Sequence, residues 1–199
     1  ATTPVAAEVL EAMLPYFSQV PGNPNSIHAW GQESSVALQN AREQVASLVG
    51  AKPEEIVFTG GGSEADNLAI KGSAFLEKNR GKHLITTAVE HHAVLDTCKW
   101  LEKQGFPLTV LPVNSYGQVT SEQVREALRE DTFLVSVMHG NNEVGSLNPI
   151  QKIGNLCREK GVLFHVDAVQ TAGHVPMDLQ ELPVDLLTLS AHKMYGPKG

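Results

Sequence analysis

Apolar positions along the chain follow two rhythms, and the switches between them mark out its elements. From residue 31 to 49, Leu38, Ala41, Val45 and Leu48 recur at helical spacing on one face, and Gly50 supplies a stop. Ile56-Val57-Phe58-Thr59 is a short β-branched apolar run; it predicts a strand that leads into Gly60-Gly61-Gly62-Ser63 and a helix beginning near Glu64. The pattern then recurs as strand 83–87, helix 92–103, strand 108–111, helix 121–130, strand 133–138, helix 149–160, strand 162–166 and strand 185–189. The strands are almost continuously apolar, and helices separate most of them. That combination predicts an α/β fold, a mostly parallel central sheet with helices on both faces. Residues 20–27, rich in Pro, Gly, Asn and Ser, read as a loop.

Composition narrows the partners. With 199 residues and 42% hydrophobic composition, the chain can build one full core, burying about 70% of its unfolded surface. Its 15 basic against 22 acidic residues give a formal net charge of -7, which repels nucleic acid and anionic membranes. No apolar run reaches the roughly 18 residues a membrane span needs, and the N-terminus lacks a signal pattern. Cys98 and Cys157 stand far apart, without disulfide or zinc spacing, so a reducing cytoplasm is expected. The chain opens on Ala1-Thr2-Thr3-Pro4 and closes directly after a strand, and we expect it to be part of a longer polypeptide.

In parallel sheets of this kind, ligands collect at the carboxyl ends of the strands. The polar residues that follow the strands are therefore the candidates. Gly60-Gly61-Gly62-Ser63 lies between strand and helix, where backbone N–H groups and the helix dipole attract a phosphate. Gly60, Gly62 and Ala65 also fit a dinucleotide pattern with Glu90 as a ribose acceptor, which keeps a nicotinamide-dependent dehydrogenase open. Glu90-His91-His92 follows the next strand; such a pair is commonly a helix N-terminal contact, and it is also an imidazole placed for ring stacking or proton transfer. In His139 to Gly145, an Asn side chain offers both donor and acceptor, unless the segment is only an Asn-rich turn. Alternation puts His165 and Asp167 on one face; a third metal ligand would have to come from another strand, so no metal is expected. A buried Asp167 needs a cationic partner, and a protonated pyridine nitrogen is one. Finally, Lys193 in Ser190-Ala191-His192-Lys193 follows the last strand, where a partly dry amine can hold an aldehyde as a Schiff base. Together these parts fit a pyridoxal phosphate (PLP) site, while the dehydrogenase reading leaves Lys193 and Asp167 idle.

The motifs carry a family resemblance. Phe58-Thr59-Gly60-Gly61-Gly62-Ser63-Glu64, Glu90-His91-His92-Ala93-Val94, Asn141-Asn142-Glu143-Val144-Gly145, His165-Val166-Asp167-Ala168-Val169-Gln170 and Ser190 to Gly199 resemble the NifS/IscS-type cysteine desulfurases. The resemblance covers essentially the whole chain. It implies a fold-type I, class V aminotransferase-like large domain that binds PLP over residues 21–199, with residues 1–20 belonging to a small domain. It implies a homodimer that takes sulfur from L-cysteine, leaves alanine, and passes the sulfur to an iron–sulfur scaffold or another acceptor protein. By motif position, Lys193 would bond the cofactor and His91 would stack on its ring and assist proton transfer. Asp167 would pair with the ring nitrogen, and Gln170 would contact the ring hydroxyl. Gly62, Ser63, Ser190 and His192 would hold the phosphate, and Asn142 would lie near the ring hydroxyl and the substrate carboxylate. Many relatives carry Ser and Thr where this chain has Gly60 and Ser63; Ser63 keeps the hydroxyl. The family's persulfide-forming cysteine and carboxylate-binding arginine lie beyond the lysine, and neither Cys98 nor Cys157 stands in a matching motif. A selenocysteine lyase shares this constellation, and a silent scaffold that only docks partners is the non-enzymatic alternative.

Overall fold

In the computed structural model, which describes residues 2–76 and 82–198, five strands form one sheet. They are β1 (His83–Thr87), β2 (Leu108–Leu111), β3 (Thr132–Met138), β4 (Leu163–Asp167) and β5 (Leu186–Thr188). Their order is β2-β1-β3-β4-β5, and every neighbouring pair is parallel. The helices are α1 (Ala7–Met13), α2 (Pro15–Ser18), α3 (Ala29–Val49), α4 (Gly62–Leu76), α5 (His92–Lys103), α6 (Ser121–Ala127) and α7 (Ile150–Lys160).

Strand alternation divides the apolar side chains between two cores. Leu84 and Leu134 point to α4 and α5, where they meet Ile70, Ala74, Val94, Cys98 and Leu101. Ile85, Val135, Phe164 and Val166 point the other way, onto Val124 of α6 and Ile153, Leu156 and Cys157 of α7. Both sheet faces are therefore covered, which is why the strands read as nearly unbroken apolar runs.

Most element bounds fall where the periodicity puts them. The helix expected over 121–130 stops earlier, at Ala127, because Leu128 turns to φ -64, ψ 136. Arg129 then donates its N–H to Thr132 Oγ1 at 2.8 Å, and this turn feeds β3. The larger correction concerns Ile56–Thr59, which forms no strand. A strand needs a ladder partner, and an apolar trough of about 190 Å³, lined by Ile56, Phe58, Leu187 and Leu189 among others, separates this segment from β5. Arg42 steadies it instead, donating to the Ile56 carbonyl and standing 5.0 Å from the Phe58 ring centroid.

The N-terminal segment is tied to the far end of the chain. Thr3 N–H donates to the His192 carbonyl and Ala6 N–H to the Tyr195 carbonyl, each at 2.9 Å. Tyr195 N–H returns a bond to Thr3 Oγ1 at 2.8 Å. Tyr195 is held at φ 62, a left-handed conformation unusual for a bulky residue.

Candidate active site

A cavity of about 280 Å³ opens at the carboxyl ends of the strands. Gly62, Ser63, His91, Asn142, Asp167, Gln170, Ser190, His192 and Lys193 all line it, so the sequence candidates converge on one place. Asp66, Met138 and Val169 complete its wall.

The glycine run supplies one end. Gly61 takes φ 152, which side-chain-bearing residues rarely adopt, and Gly62 opens α4. A Cβ on Gly62 would stand 3.1 Å from Val169 Cγ2 and 3.4 Å from Ser190 Cβ, so glycine keeps this corner clear. The N–H groups of the first turn of α4 lack intrahelical acceptors and make that end of the cavity electropositive. Ser190 is buried beside it, and its Oγ has no hydrogen-bond partner. A buried hydroxyl without a protein partner is free to bond a ligand or water. His192 borders the same corner; Thr2 Oγ1 lies 3.1 Å from its Nδ1. Burial first, and then the Lys193 charge, hold the His192 pKa below its usual value.

His91 serves both readings of its motif. It is the N-cap of α5, its Nδ1 accepting the Ala93 N–H at 3.1 Å. That bond leaves Nε2 as the ring nitrogen available to the cavity. His92 faces solvent beside Asp96 instead. Asn142 is exposed at the cavity mouth, where Nδ2 donates to Glu143 Oε1 at 2.7 Å. Its buried neighbour Asn141 builds the loop, donating to the Val89 carbonyl and accepting the Glu143 and Val144 N–H groups.

The floor is acidic. Asp167 ends β4 and accepts the Val169 N–H at 2.9 Å. Burial pushes its pKa up, opposed by that N–H and by the charge of Lys193. Asp66, from the second turn of α4, is 2% exposed, and burial together with the nearby Asp167 pushes it up to about 8. Behind both lies His165, fully buried. Ser136 Oγ is 2.8 Å from its Nδ1, and Thr188 Oγ1 is 3.0 Å from its Nε2. Burial lowers its pKa to about 4, which disfavours the imidazolium form. Among the described residues no cluster of three metal-ligating side chains occurs. Lys193, half-buried in the 3₁₀ turn Ala191–Lys193 after β5, completes the wall, its carbonyl lying 2.8 Å from His174 Nε2.

Glu90 corrects the dinucleotide alternative. It is turned inward, accepting Thr87 Oγ1–H at 2.6 Å and the Met138 N–H at 2.9 Å, and it cannot face a ribose. Two site features went unnoticed in the sequence. Asp66 shares the buried stripe of α4 with Ile70, Ser73 and Ala74, and a carboxylate on an apolar helical face was the available signal. Asn141 looked the same as Asn142, and only the burial of one of them tells them apart.

Comparison with known proteins places this geometry in a family. The aminotransferase class-V family profile matches residues 1–199, and the chain belongs to that family. A protein described as cysteine desulfurase IscS from Dictyoglomus turgidum is 53% identical over 199 residues, covering 100% of this chain and 50% of the relative. A putative cysteine desulfurase IscS 1 from Bacillus subtilis is also 53% identical, with 100% and 52% covered. Among solved structures, SspA in complex with cysteine superposes with a TM-score of 0.96 at 45% identity, covering 100% of this chain and 57% of the other. A NifS-like protein gives 0.96 at 44%, with 100% and 55% covered. The chain spans about half the length of the curated relatives it matches.

Proposed function

We propose that this chain carries the cofactor site of a PLP-dependent cysteine desulfurase that removes sulfur from L-cysteine. The observation that carries the reading is the presence of Lys193, Asp167 and the partnerless Ser190 hydroxyl around one cavity at the strand ends. The residues fit the cofactor's parts: the clear corner at Gly62 with the α4 N-terminus and the orphaned Ser190 hydroxyl suits a phosphate, and the buried Asp167 suits a protonated ring nitrogen. When bound, PLP supplies an electron-accepting ring that stabilises negative charge at the substrate Cα.

The chain's own groups would do the rest. Gly62, Ser63, Ser190 and His192 would hold the phosphate. Lys193 would hold the cofactor through Nζ and, when released, move the substrate's α-proton. Asp167 would keep the ring nitrogen protonated, and Gln170 would contact the ring hydroxyl. His91 would cover the ring and handle a proton at Nε2, since Nδ1 is committed to the Ala93 N–H. Asn142 would orient the ring hydroxyl and the substrate carboxylate. The sulfur would need another acceptor group, because Cys98 and Cys157 are buried and burial pushes both thiols up to about 12.

Residues 21–199 form the cofactor-binding unit in this reading, and residues 1–20 pack with a small domain; no residue of α1 or α2 is buried. The working form is a cytoplasmic homodimer that hands sulfur to an iron–sulfur scaffold or another acceptor protein. Among the described residues no helix is long and apolar enough to cross a membrane.

The test is spectroscopic. Protein mixed with PLP should gain a near-violet absorption band that borohydride removes, leaving a modified peptide at Lys193. Lys193→Ala should give no band, and a variant that kept it would overturn the assignment. The 199 residues alone should not turn over L-cysteine, for want of a reactive thiol.

A further inference from the structure

Asp66 has no part in the function proposed above, yet it lies at the cavity floor. It is 2% exposed and lines the cavity beside Asp167, and its Oδ1 has no hydrogen-bond partner. His165 Nε2 stands 3.6 Å from that oxygen. That imidazole is a poor counter-ion, because it is enclosed among apolar strands and burial lowers its pKa to about 4, while its two nitrogens are matched by the Ser136 and Thr188 hydroxyls.

Burial and the nearby Asp167 both disfavour a charge on Asp66, and only the Thr188 hydroxyl of β5 opposes them. The other titratable groups around it are the acids Asp167 of β4 and Glu90 of the turn after β1 and the thiol of Cys98 in α5, and none of these three is a cation. The donor and cationic groups reach Asp167 instead: the Val169 N–H at 2.9 Å and the nearby Lys193. Two buried carboxyl groups beside one another resist joint ionisation, and the one with hydrogen-bond donors and a cation nearby keeps the charge.

We infer that Asp66 is a positioning residue for the ring-nitrogen carboxylate: the two aspartates share one proton, held on Asp66, so that a single negative charge remains and sits on Asp167. A neutral Asp66 lets Asp167 face a cationic ring nitrogen without a second anion behind it. The link to the ring rests on the PLP reading above, whereas the shared proton does not. The upward shift of Asp66, to about 8, agrees with the geometry.

Infrared spectroscopy of protein labelled with 13C-carboxyl aspartate tests this directly, because the label separates Asp66 from Glu90. The cofactor-free protein should show one protonated aspartate at pH 7, lost with a midpoint near pH 8. Asp66→Asn should remove that band, and Asp167→Asn should move its midpoint down, because the charge that holds the proton on Asp66 is gone. Should Asp66→Asn fail to fold, the wild-type and Asp167→Asn spectra decide alone. A wild-type protein without the band, a band that survives in Asp66→Asn, or a midpoint unmoved by Asp167→Asn would each overturn the pairing. Adding PLP should also lower the midpoint, since a cationic ring nitrogen offsets the Asp167 charge. Bound PLP, seen by its absorption, with an unmoved midpoint would overturn the positioning role. Intact cofactor-free spectra with no PLP uptake would overturn the cofactor reading and leave the proton pair standing.

Discussion

Ser190 separates a structural role from a binding role. Its Oγ is buried without a partner, so in cofactor-free protein the hydroxyl is desolvated and returns nothing. Ser190→Ala should therefore leave cofactor-free stability unchanged or slightly raised. Against a phosphate the same hydroxyl would make a charge-assisted hydrogen bond worth about 1.5–3 kcal/mol, so PLP affinity should fall by roughly tenfold or more. Thermal unfolding and an absorbance titration give the two readings; a less stable variant with unchanged affinity would make Ser190 a packing residue. At this scale the sequence was informative wherever a polar residue follows a strand end, as Asp167 and Lys193 do. It was silent on Asp66, whose importance comes from α4 burying it against β4, a contact between segments about a hundred residues apart in the chain (positions 66 and 167). It was also silent on His165, which alternation placed on the face of Asp167 while its doubly bonded state depends on Ser136 and Thr188 of the flanking strands.

Elements reveal themselves in a sequence when their own periodicity decides their form, and they mislead when a neighbour must complete them. β1, β2 and α5 keep the expected bounds because each has a paired edge or a packed stripe. Ile56–Thr59 has strand-like residues but no ladder, and Val57 and Phe58 stay 67% and 45% exposed. β composition describes how a residue suits a pleated surface, and it cannot supply the second strand. α7 shows a neighbour's influence of another kind. Gly154 sits mid-helix, where alanine would ordinarily add about 1 kcal/mol of stability. A Cβ there would stand 2.3 Å from the Pro183 carbonyl oxygen and 3.0 Å from Phe164 Cδ1, so the helix would have to lift off the backbone it covers. Overpacking of this kind costs about 1–3 kcal/mol and outweighs the propensity gain. Gly154→Ala should lower the denaturant midpoint; a rise would mean that α7 shifts without loss of packing.

At the scale of the whole molecule, the buried acids tie stability to pH. Glu90 is buried where β1 and β3 end, and burial pushes it up to about 8 despite the bonds from Thr87 and Met138. Asp66 is pushed to a similar value. Near neutral pH both therefore hold protons in the folded state, and the folded protein is less negative than its formal charge of -7. The unfolded chain releases those protons once pH passes the ordinary carboxylate values of 4.5 for Glu and 3.8 for Asp. Between those values and about 8 the folded state binds more protons than the unfolded one, so stability declines as pH rises, on the order of 1 kcal/mol per pH unit for each group. Below that window both states are protonated, and above it both are ionised, so the slope from these groups vanishes at either end. Glu90→Gln mimics the protonated acid, keeps an acceptor for Thr87 and Met138, and removes Glu90's share of the slope. Its denaturant midpoint, compared with wild type at pH 5, 6.5 and 8, should gain steadily on wild type as pH rises. Parallel profiles for the two proteins would mean that Glu90 is ionised in the fold, and a cation or water would then have to reach its second oxygen, which has no partner among the described residues.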